Sequence, residues 1–143
     1  MRGLLADENV AGHVAYLRRR LQALGVWSLL AELHLSVATF SQVGLPQDLD
    51  DRSIWLFCQR ERWVLFTDNR NGETADSLEA TIRDLWRSGH LPVVTLGSKP
   101  KLERDPVYGD RVVLDLADLL FDLATGIEMP PRLYVPGRGR ALA

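Results

Sequence analysis

One cysteine, Cys58, stands among the 143 residues. A lone thiol excludes an internal disulfide and any cysteine-rich zinc site. It falls in an apolar stretch with helical spacing, so it reads as a buried structural thiol rather than a nucleophile. Histidine is nearly as scarce. His13, His34 and His90 are scattered, with no pair at ligand spacing on one helix, and they read as surface or capping residues. No apolar run approaches the ~20 residues that a membrane helix needs. The opening MRGLLADENV is too acidic, and too poor in apolar residues, for a signal peptide. A soluble, cytoplasmic protein without membrane contact is therefore expected. Excess positive charge is lacking as well: 17 Lys and Arg against 19 Asp and Glu leave a net charge of −2. That balance weakens a non-specific duplex-DNA binder. It leaves room for a nuclease, which needs local carboxylates for a metal and local arginines for phosphate. No G-x-G-x-x-G follows the first apolar run, GSKP at 97–100 lacks the pattern of a phosphate-binding loop, and G-x-S-x-G is absent.

What is present is a globular composition, 46% hydrophobic and 25% charged, at a length that suits one domain. We read a single domain over 1–136 and a Gly- and Arg-rich tail over 137–143 that frays. Gly3 to Ala6 is a short apolar run, the first strand. Residues 10–24 carry Val10, Val14, Leu17, Leu21 and Leu24 at helical spacing, with Arg18, Arg19 and Arg20 on the wet side and Gly25 as the stop. A second short helix covers 27–34. Ser36 to Phe40 alternates as a strand, and a helix over 51–61 turns Ile54, Trp55 and Cys58 inward. Trp63 to Thr67 is the third strand, 77–86 a helix and 91–97 the fourth strand. Residues 103–125 read as one long helix ended at Gly126. A last strand within 131–137 lies between prolines, as an edge strand does. Trp27, Trp55, Trp63 and Trp86 read as packing residues. The alternation predicts an α/β fold with a mainly parallel central sheet and helices on both faces. Ligands in such folds bind beyond the carboxyl ends of the strands.

That rule selects the acids. Asp7-Glu8-Asn9 follow the first strand, and Asp68-Asn69-Arg70-Asn71 follow the third. Asp50 and Asp51 open the helix that feeds the third strand. Three acidic positions far apart in sequence should therefore meet at one edge of the sheet. Crowded carboxylates are tolerated where a hard cation neutralises them, and such a site can activate a water for phosphodiester hydrolysis. Each acid also has a structural explanation. Asp7 or Asn9 could cap the next helix, Asp50 could cap the 51–61 helix, and Asp68 could make an Asx turn.

LLADENV at 4–10, DLDDRSIW at 48–55 and WVLFTDNRN at 63–71 resemble the PIN-like superfamily, most of all its small stand-alone bacterial members of toxin–antitoxin type. The likeness spans nearly the whole chain in element order. It implies a three-layer PIN-like fold and a ribonuclease dependent on Mg²⁺ or Mn²⁺. Asp7, Asp51 (or Asp50) and Asp68 would be the metal ligands and catalytic acids. Asn9 and Thr67 would orient ligands or phosphate. We add Arg70 as a phosphate contact and Asn71 as a polar candidate in the same cleft. Relatives often carry a further Asp where this chain has Arg70, and a Phe where it has Gly72; Glu73 or Asp76 would have to compensate. A second reading is a PIN-like module without catalysis that binds a protein partner, antitoxin-like in kind. Homodimerisation is compatible with either. A receiver-like phospho-acceptor domain ranks third: Asp7-Glu8 would stand for its acid pair, Asp68 for its acceptor and Lys99 or Lys101 for its late basic residue.

Overall fold

A computed structural model describes residues 1–68 and 77–137. Its five strands are β1 (Gly3–Ala6), β2 (Ser36–Thr39), β3 (Trp63–Thr67), β4 (Val93–Leu96) and β5 (Arg132–Val135). All pair in parallel, in the order β2-β1-β3-β4-β5. Parallel strands cannot be joined by tight hairpins, so each connection crosses a face of the sheet. Seven helices are described: α1 (Val14–Ala23), α2 (Trp27–Glu32), α3 (Phe40–Val43), α4 (Asp51–Glu61), α5 (Leu78–Leu85), α6 (Lys99–Arg104) and α7 (Pro106–Ala124).

The three central strands, β1, β3 and β4, are buried along their whole length, as expected when both faces are covered. Successive side chains point to opposite faces and split the core in two. Leu4, Ala6, Val64 and Phe66 pack with Leu17 and Leu21 of α1 and with Val113, Leu116 and Leu120 of α7. Leu5 and Leu65 pack on the other side with Phe40, Ile54, Trp55, Leu78 and Ile82. The result is a three-layer α/β fold, as the alternation predicts. β5 is an edge strand, also as expected.

Four local expectations change. The predicted helix over 10–24 opens with a 3₁₀ turn at Ala11–His13 before α1 begins. Phe40 does not extend β2. Thr39 and Gln42 form a reciprocal cap on the short helix α3, and Phe40 starts it. The predicted single helix over 103–125 is two. Asp105 precedes a proline, which disfavours helical backbone there, and its carboxylate accepts from the Val107 and Tyr108 amides to start α7. The three arginines do not form one solvated face. Arg18 donates to the Val37 carbonyl, Arg20 clasps Asp110 of α7 with two bonds of 2.8 and 3.0 Å, and only Arg19 is exposed. Cys58 is buried as expected, and burial pushes its thiol up to about 12.

Candidate functional site

From β1 the chain crosses to β2 on one side and then returns to β3 on the other. This reversal is the switch point of a doubly wound sheet, where the connections diverge and leave a crevice beyond the strand ends. Asp7 leaves β1 at that point and Asp68 leaves β3 beside it. The Asp7 amide donates to the Phe66 carbonyl at 2.9 Å, which ties the two strand ends together.

The Asp7 carboxylate is held from two sides. The buried Thr67 hydroxyl donates to one oxygen, and the Asn9 amide donates to the other at 2.7 Å. Burial raises the Asp7 pKa above its ordinary value of 3.8. The two hydrogen bonds oppose the rise, while the charges of Asp68 and Asp51 add to it. Acids from two other segments, Asp68 and Asp51, therefore bear electrostatically on Asp7.

Lys99, at the start of α6 beyond β4, reaches into the same place. Its ammonium lies 3.8 Å from Asp68 Oδ2 and donates to the Asn9 carbonyl at 3.0 Å. Lys99 has no part in the ribonuclease expectation; the sequence pointed to it only as a late basic residue in the receiver-like reading.

The two acids before α4 divide their roles. Asp50 caps the helix by accepting from the Ser53 amide at 2.7 Å, and that bond lowers its pKa. Asp51, one residue on, accepts from the Leu78 amide at 3.2 Å and so joins the start of α4 to the start of α5. Of the alternatives, Asp51 is the acid that couples to Asp7. Asn9 and Thr67 lie beside Asp7, and each donates a hydrogen bond to its carboxylate. No side-chain oxygen accepts a capping hydrogen bond at the start of the 3₁₀ turn or of α1, so neither Asp7 nor Asn9 is a cap there. Arg70 and Asn71 lie outside the described residues, as do Glu73 and Asp76.

Hard oxygen donors suit Mg²⁺ or Mn²⁺, which need only one or two carboxylates and keep waters for the remaining positions. Asp7 and Asp68 match that donor chemistry. Among the described residues, no group of three His, Cys, Asp or Glu side chains could hold a metal ion as it stands. The three histidines lie elsewhere: His13 pairs with Glu103 at 3.0 Å, His34 closes α2 with a positive φ, and His90 sets its ring edge-on to Trp55. No family model, curated protein or solved structure matches the chain.

Proposed function

We propose that this chain is a metal-dependent ribonuclease of the PIN-like type, hydrolysing RNA phosphodiester bonds at the acidic cleft. The observation that carries the reading is the coupling of Asp7, Asp51 and Asp68 at the switch point of the sheet. Asp7 is raised by burial and by two neighbouring acids at the strand ends, a setting that capping and turn roles do not call for. Perturbed carboxylates in a crevice mark functional sites.

Asp7, Asp51 and Asp68 would hold Mg²⁺ or Mn²⁺. When bound, the cation lowers the pKa of a water and stabilises charge on the phosphate. The chain's own groups do the rest. Thr67 and the Asn9 amide hold the Asp7 carboxylate from two sides, so it is oriented at little further entropic cost. Asp51 is fixed through Leu78. Lys99 offers a cation at the wall, placed to meet a phosphate oxygen once Asp68 turns to a metal. Arg70 is proposed as a second phosphate contact.

The test is calorimetric titration of Mn²⁺ into the pure protein, beside Asp7→Asn and Asp68→Asn, followed by cleavage of a mixed RNA pool. Saturable binding weakened in both variants, with cleavage that tracks it, supports the nuclease. Absence of millimolar binding in the folded protein overturns it and favours the partner-binding module, in which the Lys99 ammonium permanently neutralises Asp68.

The receiver-like domain, third in rank from the sequence, gains one observation. The order β2-β1-β3-β4-β5 belongs to the flavodoxin-like sheets that receivers share, and Lys99 sits against Asp68. Phosphorylation of Asp68 by a small phosphodonor, read by intact mass, would favour it over RNA hydrolysis.

A further inference from the structure

The longest helix, α7, turns one face into the core and leaves an apolar stripe on the other. Val107, Leu114 and Phe121 are 70%, 41% and 41% exposed. They are seven residues apart, so they lie on one line along the 19-residue helix. The core-facing residues, Val113, Leu116 and Leu120, lie on the opposite side. Heptad spacing is the pattern with which one helix packs along another.

The geometry points to a second copy of this chain as the occupant, with the two α7 helices packed antiparallel about a two-fold axis through Leu114. Leu114 is the midpoint of the stripe. In that arrangement Leu114 meets its own copy, and Val107 meets Phe121 of the other chain, twice. The charges select the same arrangement. Arg111 and Asp118 are exposed, and neither makes an ion pair or hydrogen bond among the described residues. Both stand on the same flank of the stripe, four residues after Val107 and Leu114. They are too far apart along their own helix to pair. An antiparallel two-fold axis brings like flanks together, so Arg111 of each copy faces Asp118 of the other. A parallel pairing would leave all four charges unmatched. On the opposite flank Asp110 is already neutralised by Arg20, and the exposed Ala124 is small enough for close approach. Isologous self-complementarity of this kind is how closed dimers form.

The test is sedimentation velocity across a concentration series. A patch of this size predicts a weak dimer, with a Kd on the order of 10–100 µM. Leu114→Glu places two carboxylates on the axis and is expected to weaken association at least tenfold. Arg111→Glu and Asp118→Arg should each weaken it severalfold, and the double variant should restore it, because the pairs re-form with exchanged sign. Leu114→Cys adds a thiol on the axis, while Cys58 is buried, so mild oxidation should give a single cross-linked dimer. A protein that stays monomeric at about 1 mM overturns the inference. So does a dimer insensitive to Leu114→Glu, or a charge swap that fails to restore association. All the substituted side chains are exposed, and far-UV circular dichroism confirms that each variant is folded.

Discussion

Thr67→Val offers a direct reading of how the Asp7 carboxylate is held. Valine keeps the shape of threonine and removes the hydroxyl that donates to Asp7. A hydrogen bond to a charged group contributes roughly 1.5–3 kcal/mol net. Asp7 keeps its second donor, the Asn9 amide at 2.7 Å, so the middle of that range applies, about 2 kcal/mol. For a chain of this length that lowers Tm by about 6–8 °C. In an Asp7→Asn background the acceptor is neutral, and the same change should cost about 1 kcal/mol. The two backgrounds therefore differ by about 1 kcal/mol, which a double-mutant cycle resolves. The sign against pH follows from the raised pKa of Asp7. The folded state holds that proton more tightly than the unfolded chain, so Asp7 costs no stability below its unfolded pKa. The cost grows as pH rises through the folded value. Asp7→Asn should thus gain on the wild type as pH climbs from about 4 toward neutrality. The assay is denaturant unfolding in EDTA, so that no cation offsets the charge. Equal costs of Thr67→Val in both backgrounds, or an Asp7→Asn advantage that shrinks with pH, would refute the reasoning.

Gly3→Ala should lower stability by about 3 kcal/mol or more, measured by thermal unfolding, because Gly3 has φ +137° and an added Cβ would overlap the backbone of Ser36 in the neighbouring strand. Cys58 should be inert to a thiol reagent at pH ~8 in the folded protein and react fully in denaturant, since burial has pushed it to about 12; native-state labelling at the rate of a free thiol would contradict the packing of α4. Lys99→Gln should strengthen Mn²⁺ binding severalfold by calorimetry while slowing RNA cleavage, because the ammonium now 3.8 Å from Asp68 competes with a metal for that carboxylate. Unchanged affinity would mean that Lys99 and the metal do not share Asp68.

The layered fold was legible because its strands are short apolar runs separated by helical spacing, and parallel sheets put such runs in the middle. The helix starts at Asp50 and Ser77 were equally readable, since each presents an oxygen to an amide three residues on. The break between α6 and α7 was visible as Pro106, but the strong apolar period that follows it dominated the expectation. Phe40 misled for a similar reason. Its β propensity suited a strand, and tertiary packing placed it as the first residue of a helix instead. At the site, Asp7 and Asp68 could be placed because strand ends share an edge. Lys99 was set beside Asp68 only in the receiver-like reading and could not be told from Lys101, because its reach depends on how α6 leaves β4, and no local pattern records that angle. Arg18 and Arg20 show the same limit: three consecutive arginines look solvated until another element supplies a carbonyl or a carboxylate.

The order of the strands also decides when the site comes into being. β1 pairs with β3 across a separation of sixty residues, Gly3 opposite Trp63. A growing chain that has reached Glu61 already carries Asp7, Asp50 and Asp51, yet it lacks Thr67, Asp68 and the strand that brings them alongside. Loop closure over that length must precede the contacts that reward it. Fragments emerging during synthesis therefore hold their acids apart and exposed to water. The acids of the crevice come together only when β3 pairs with β1, and Lys99 joins them only after β4 has been made.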